Sequence, residues 1–157
     1  MKLSFKNFNI TFLLVCLLIV LYLFMFKSIF SKNKKWESDY ILSNDNSKIK
    51  VKLYKNLINE KNIGIIIPSD ECIQYEYIPM NAPSIIINDI KVQFLAQCIS
   101  KGYRMSFAKT DEGRKYIINE FKTKQFVVYK QGNQLIIFSA IGFIDAYNNF
   151  EFSMNGL

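Results

Sequence analysis

Two adjacent pairs of acids are the residues of this sequence whose types and spacing come closest to catalytic chemistry. Paired carboxylates can act as general acid and nucleophile or base in glycoside hydrolysis. Asp111–Glu112 follows Thr110 at the expected start of a helix, where the helix dipole favours negative charge. Asp70–Glu71 lies in an expected loop after Pro68, where a carboxylate is far more often a solvated turn residue than a catalyst. Neither pair predicts an active site.

Histidine does not occur among the 157 residues, and this excludes most of the remaining chemistry. Without it the chain cannot form a Ser-His-Asp or Cys-His arrangement, or a metal site with histidine ligands. The glycines are isolated from one another, so the sequence has no glycine-rich phosphate-binding loop. We therefore predict no catalytic residue, no metal site and no cofactor.

Three cysteines are present, and their positions matter more than their number. Cys16 lies inside a hydrophobic run, where it acts as a small apolar residue. Cys72 and Cys98 are left as the natural pair in the rest of the chain. We expect a disulfide between them if this part is exported, and two separate buried thiols if it is cytosolic.

Aromatic residues and arginines supply the candidates for a binding surface. The chain has 14 Phe and 9 Tyr, and most of them fall where the strand and helix patterns predict a core. The guanidinium of an arginine can donate two hydrogen bonds to one carboxylate, although an ordinary surface ion pair is its commoner role. The candidate surface for a partner protein consists of Tyr75, Tyr77, Tyr147 and Arg104.

The segment 7–26 is the most distinctive feature of the chain, and the location of the rest depends on it. It holds no charged residue over 20 positions. A helix of that length reaches about 30 Å, the thickness of the hydrocarbon core of a bilayer. The run is too long for a secretory signal, and no small-x-small cleavage site follows it. Val15 stands where a lipoprotein signal has a small residue before its cysteine. We therefore predict an uncleaved single transmembrane span rather than a signal peptide or a lipoprotein.

Lysines flank this predicted span, and they account for most of the formal charge of +7. From Trp36 onward the chain carries 14 basic and 13 acidic residues, so that part is almost neutral. Basic residues beside a span contact anionic headgroups, and this explanation removes the main support for nucleic-acid binding. The predicted membrane flanks are Lys2, Lys6, Lys27, Lys32, Lys34 and Lys35.

The direction of the span follows less directly from the sequence. The positive-inside rule leans slightly toward a cytoplasmic C-terminal domain, because the lysines after the span outnumber those before it. The signal-like start and the paired cysteines favour the opposite direction. We predict a single-pass protein of the inner (cytoplasmic) membrane with a periplasmic C-terminal domain.

We predict three parts: an N-terminal anchor at 1–27, a stalk at 28–46 and a folded α+β domain at 47–157. Trp36 and Tyr40 in the stalk are expected at the membrane interface. The domain begins where Lys48–Leu53 alternates between lysines and aliphatic residues, which is typical of a half-buried strand. Its sheet is expected to be mostly antiparallel, with one or two short helices.

Further strands are predicted from short apolar or alternating runs bounded by turn residues. The pair Asn88–Asp89 predicts a hairpin turn, and Tyr103, Met105 and Phe107 are expected to face inward from their strand. The remaining expected strands are Ile63–Ile67, Ile73–Ile78, Ile85–Ile87, Ile90–Phe94, Phe126–Tyr129 and Leu135–Phe138.

Two helices are predicted after the first strands. Thr110 caps the longer one, in which Tyr116, Ile117 and Phe121 recur at helical spacing. Ser139 is expected to cap a short final helix.

These features together predict a membrane-anchored, non-enzymatic envelope protein whose small domain binds a partner protein in an assembly, accessory or immunity-type role. The partners are thus the membrane and a protein, with no nucleic acid and no small-molecule ligand. One alternative is an envelope-acting enzyme that uses Asp70 or Glu71, and another is a structural subunit of a larger membrane complex.

Overall fold

The computed structural model describes residues 34–36, 38–45, 48–73 and 78–150, together with Val15 and Leu17. Nearly all of them belong to a compact unit that begins at Lys34. The predicted span at 7–26, apart from Val15 and Leu17, lies outside the described residues. In the described part of the chain, no helix is long and apolar enough to cross a membrane.

Within the described part of the compact unit, eight strands form one sheet, and two α-helices and a short 3-10 helix interrupt them along the chain. The 3-10 helix, Asp70–Ile73, follows the third strand. The helices are α1 (Asp111–Thr123) and α2 (Phe143–Asn149). The strands are β1 (Tyr40–Leu42), β2 (Lys50–Lys55), β3 (Lys61–Pro68), β4 (Met80–Ile87), β5 (Ile90–Ser100), β6 (Tyr103–Ala108), β7 (Phe126–Gln131) and β8 (Gln134–Ser139).

The strand order in space is β1-β2-β3-β6-β5-β4-β7-β8, and the neighbouring strands pair antiparallel. Two meanders, β1-β2-β3 and β4-β5-β6, meet along the β3–β6 pair, and the β7–β8 hairpin adds to the free side of β4. The predicted α+β class with a mostly antiparallel sheet is confirmed.

The sheet curls until its two edge strands come together. The backbone N–H of Asn44, two residues after β1, donates to the carbonyl oxygen of Ile137 in β8 at 2.9 Å. Because successive side chains of a strand point to opposite faces, one residue in two faces the concave side. The concave side is thus enclosed by strands that are far apart in the flat order.

One end of this enclosure is filled by aromatic side chains and closed by the helices. Trp36 packs edge-to-face on Phe121 of α1 and on Phe143 of α2, with ring centroids 5.7 Å and 5.1 Å apart. The indole Nε1–H of Trp36 donates to the carbonyl oxygen of Ser139 at 2.9 Å. Trp36 is thus a core residue of the folded unit, whereas the sequence placed it in a stalk at the membrane interface.

The start of α1 agrees with its prediction in detail. The Oγ1 atom of Thr110 accepts the backbone N–H of Gly113 at 3.1 Å, and the carboxylate of Asp111 contacts Arg114 and Lys115. The hairpin turn at Asn88–Asp89 is also confirmed, since both residues have the positive φ that a tight hairpin turn requires.

Three local predictions are wrong. Ser139 ends β8, and α2 begins four residues later behind Gly142 in the left-handed conformation. Ile73 closes the 3-10 helix instead of starting a strand.

The third error concerns the inward face of β6. Its pairing with β3 and β5 turns Arg104, Ser106 and Ala108 to the concave side, so Met105 and Phe107 pack on the outside. On that outer face the side chain of Met105 lies over Gly64, and the ring of Tyr54 packs edge-to-face on Phe107.

Candidate functional site

A cavity of about 470 Å³ lies on the concave side of the sheet, at the end away from α1 and α2. It opens to solvent at one side, which we call the cavity mouth. The exposed residues that surround the cavity mouth are Lys48, Pro68, Pro83, Gln131 and Gln134. Small-molecule sites typically measure about 300–1,000 Å³, so the volume suits a small ligand.

The walls of the cavity are mostly aliphatic. They come from side chains that alternate inward along β3, β4 and β8, together with the residue that precedes β2. Since these segments are distant in the chain, only the curled sheet brings them together. The aliphatic wall residues are Ile49, Ile65, Ile67, Ala82, Ile85 and Ile136.

Tyr129 separates the cavity from the aromatic core. Its ring lines the cavity and also packs edge-to-face on Phe138, with ring centroids 5.3 Å apart. Burial raises the pKa of the Tyr129 phenol well above its ordinary value. The phenol therefore stays neutral at physiological pH and contributes a polar but uncharged group to the wall.

Arg104 is the charged residue of the wall, and its guanidinium is only partly paired. Its Nη1 donates to the Oε2 atom of Glu71 at 2.9 Å. Its Nε is buried and has no hydrogen-bond partner among the described residues. A buried N–H without an acceptor costs about 1–3 kcal/mol, so the described residues do not satisfy this guanidinium fully.

The disulfide between Cys72 and Cys98 places Glu71 beside Arg104. It joins the 3-10 helix to β5, with the Cα atoms 5.5 Å apart and a sequence separation of 26 positions. Cys98 pairs with Arg104 across β5 and β6, so the bridge ties the segment that carries Glu71 directly to the cavity wall. The predicted pairing of Cys72 with Cys98 is present in the structure.

Tyr147, another residue of the predicted partner surface, lies at the opposite end of the unit from Arg104. It is half-buried in α2, stacks on Phe143 and has the ammonium groups of Lys61 and Lys122 over its ring. Lys61 begins β3, whereas Arg104 pairs with Ile67 at the other end of that strand. Tyr75 and Tyr77 lie outside the described residues.

Two of the predicted membrane-flank lysines belong to the compact unit. The Nζ of Lys34 donates to the carbonyl oxygen of Ser43 at 2.6 Å, so this lysine fastens the start of the unit to the segment after β1. The aliphatic stem of Lys35 lies over Gly142. The other four, Lys2, Lys6, Lys27 and Lys32, lie outside the described residues.

The acid pairs make ordinary contacts. Glu71 pairs with Arg104, and Asp111 binds Arg114 and Lys115 across the first turns of α1. Hydrogen bonds to those two cations lower the pKa of the exposed Asp111 carboxyl. No group of three His, Cys, Asp or Glu side chains within the described ranges could hold a metal ion.

The cavity was not predicted from the sequence, although the strands that line it were. The exception is the first part of β4, before Ile85, which was not expected to be a strand. One pattern could have indicated the cavity. In Tyr103–Ala108 the polar residues Arg104 and Ser106 alternate with large apolar residues, so the polar face of this strand could also point inward. A strand pattern with two plausible inward faces cannot identify which face surrounds a cavity, because strand pairing decides that choice.

Comparison with known proteins adds no family to this description. The sequence matches no protein-family profile and no curated protein, and the fold matches no solved structure.

Proposed function

We propose that this protein is a membrane-anchored, non-enzymatic binding protein whose extracytoplasmic domain receives an apolar ligand in the cavity. The cavity carries the proposal: its volume and its aliphatic walls are the features of a small-molecule site. This ligand departs from the sequence-based prediction, which expected a partner protein and no small-molecule ligand. A binding role also agrees with the sequence, which offers no histidine and no convincing pair of catalytic acids.

The anchor and its direction are part of the same proposal. The uncharged segment 7–26 supports a span, and a disulfide is typical of an exported domain. Protease added to intact and to permeabilised cells tests the direction on non-reducing gels. Digestion once the outer envelope is opened is expected, and digestion that needs an opened inner membrane would contradict it.

Photolabelling of the full chain in its own membrane tests whether the cavity binds. The probe is a photoreactive analogue of dodecanol, a neutral molecule with one aliphatic chain, and the labelled peptides are mapped by mass spectrometry. Label is expected on the peptides that carry Ile65 and Ile136, because both line the cavity. Label confined to the segment 7–26 would reject the cavity as a binding site.

Two neighbouring positions in β8 supply a matched pair of variants. Ile136 lines the cavity, whereas the side chain of Leu135 is on the other face and 54% exposed. We expect Ile136→Trp to fill the cavity and abolish the label, and Leu135→Trp to leave it unchanged. Equal labelling of both variants would mean that the probe binds elsewhere.

A second candidate function, binding of a partner protein, is favoured by the tip of the β2–β3 hairpin. Leu57 and Ile58 are 107% and 73% exposed there. The Oδ1 atom of Asn56 accepts the backbone N–H groups of Ile58 and Glu60, so this tip is held in one conformation. A preorganised apolar tip loses little entropy when a partner covers it.

Cross-linking in cells tests this second candidate. A photoreactive amino acid at Ile58 is expected to form a discrete cross-linked complex. The same residue at Ile90, an exposed aliphatic position at the start of β5, is the control. Identical cross-linking patterns at both positions would argue against a specific partner at the hairpin tip.

A further inference from the structure

The charges around the cavity favour a ligand with a negative group. The described residues that line it include two cations, Lys48 and Arg104, and no acid. Its other polar side chains are neutral: Ser106, Tyr129, Gln131 and Gln134. A cavity wall with cations and without acids attracts anions and raises their local concentration.

The polar and apolar groups are arranged for a molecule with two different ends. Arg104 pairs with Ile67 near the end of β3, close to the cavity mouth, whereas Ile65 and Ile85 line the wall further from that end. A ligand that satisfies both regions therefore has an anionic head near the mouth and an apolar chain behind it. The aliphatic walls suit a flexible alkyl chain, which needs no hydrogen-bond partners.

Glu71 shows which kind of head fits Arg104. Its carboxylate already accepts a hydrogen bond from Nη1, and its side chain is 79% exposed. An exposed ion pair of this kind is weak and easily exchanged. A guanidinium has five N–H donors, and Glu71 accepts from Nη1 alone, so an incoming carboxylate can use others on the part-exposed side chain of Arg104. A second carboxylate can thus bind beside Glu71 or replace it.

We propose that the cavity binds a single-chain fatty carboxylate, with its head on Arg104 and its alkyl chain between the isoleucines of the wall. This inference rests on the proposed function, which requires only that the cavity binds an apolar molecule. It adds the chemical class of the head and a competition between that head and Glu71.

Competition photolabelling of the full chain in its own membrane tests the head. The probe is a photoreactive analogue of dodecanoate, and the competitors are dodecanoate, dodecanol, dodecyl phosphate and dodecyltrimethylammonium. Dodecanoate is expected to compete at least about tenfold better than dodecanol, because a hydrogen bond to a charged group contributes about that much. Dodecyltrimethylammonium is expected to compete least.

Variants of the ion pair give changes of opposite sign. Arg104→Gln is expected to remove the roughly tenfold advantage of dodecanoate, and Arg104→Lys to restore part of it through the charge alone. Glu71→Gln is expected to strengthen labelling, because it removes the internal competitor. Lys101→Gln is the control, since Lys101 is exposed at the same end of the sheet and does not line the cavity.

The outcomes distinguish failure of the carboxylate head from failure of the cavity as a binding site. Weaker labelling in both Arg104→Gln and Glu71→Gln would show a merely structural ion pair and overturn the proposal. Equal competition by dodecanol and dodecanoate would overturn the carboxylate head while leaving the cavity as an apolar site. Stronger competition by dodecyl phosphate would assign a phosphate head instead. If neither the neutral nor the acidic probe labels the cavity, the proposed function fails as well.

Discussion

Trp36 and Ser139 are joined by a hydrogen bond from the indole N–H to the backbone carbonyl oxygen, across 103 residues of sequence. The same indole ring packs on Phe121 and Phe143, so one side chain connects the start of the unit to β8 and both helices. A residue placed in this way belongs to the core, and it determines where the folded unit begins.

Replacement of Trp36 is expected to destabilise the fold strongly. Trp36→Ala should lower the free energy of unfolding by about 3–5 kcal/mol, because it leaves a large cavity among aromatic rings. Trp36→Phe should cost about 1–3 kcal/mol, since the carbonyl of Ser139 loses its indole donor. Chemical denaturation measures both. Tyr103→Phe, an exposed position, is the control and should change stability by about 0.5 kcal/mol or less; an equally small change at Trp36 would contradict its role in the core.

Truncation tests the boundary of the folded unit. A chain that begins at Lys34 is expected to fold cooperatively, because it retains Trp36 and β1. A chain that begins at Ser47, the boundary expected from the sequence, loses both and should not fold. Near-ultraviolet circular dichroism and thermal unfolding distinguish the two, and cooperative unfolding of the shorter chain would refute this boundary.

Gly64 is required by the side chain that lies over it. A Cβ atom at this position would be 2.6 Å from the Sδ atom of Met105, much closer than a normal contact. We expect Gly64→Ala to lower the free energy of unfolding by about 1–3 kcal/mol through overpacking. The cost should be smaller in a Met105→Ala background, with a coupling energy of about 0.5–3 kcal/mol.

Gly102 supplies the control for that cycle. It has a positive φ of 78° and open space around it, so Gly102→Ala acts through backbone strain. Its cost should therefore be independent of Met105. Additive effects at Gly64 and Met105 would contradict the direct contact between them.

Removal of the Cys72–Cys98 disulfide is expected to act on stability and on the cavity together. At a sequence separation of 26 positions, the bridge restricts the unfolded chain by an entropy worth about 3.5 kcal/mol. The double variant Cys72→Ser with Cys98→Ser should lose about that much, and it should also free Glu71 from Arg104. Urea denaturation measures the first effect. Cys16→Ser is the control, since Cys16 has no part in the bridge, and an unchanged midpoint in the double variant would refute the prediction.

Alkaline pH is expected to destabilise the fold through its buried tyrosines. Burial raises the pKa of Tyr54 and Tyr129 above the ordinary value of 10.0. The stabilising contribution is therefore complete below about pH 10 and is lost as the pH rises further, because the unfolded chain releases these protons first. Each tyrosine should contribute a slope of about 1.4 kcal/mol per pH unit in that range.

Urea denaturation at a series of alkaline pH values measures this slope. Tyr129→Phe should remove the contribution of one tyrosine, and Tyr103→Phe at an exposed position should leave the slope unchanged. Identical slopes for the two variants would show that Tyr129 does not retain its proton in the fold.

Local pattern was sufficient for much of the fold. The alternation at Lys48–Leu53 placed β2, the pair Asn88–Asp89 placed its turn, and the capping signal at Thr110 placed the start of α1. These features depend on neighbours in sequence, so propensity and periodicity identify them. The pairing of Cys72 with Cys98 was likewise expected, because few cysteines leave few choices.

The cavity and its contacts could not be predicted in the same way. Whether Arg104 or Met105 faces inward depends on the register of β6 against β3 and β5, and a shift of one residue exchanges the two faces. Likewise, Trp36 is apolar enough for a membrane interface or a core, and only its contacts with Ser139, Phe121 and Phe143 decide between them.

Local sequence pattern accounts for the antiparallel α+β class, the position of α1 and the contrast between a basic N-terminal region and a nearly neutral domain. Only the tertiary contacts make the sheet curl, form an aliphatic cavity on its concave side and pair Arg104 of the cavity wall with Glu71. The physical reason is the range of the interactions. Helix caps, turns and alternation act over a few residues, whereas strand register and sheet curvature depend on contacts between residues far apart in the chain.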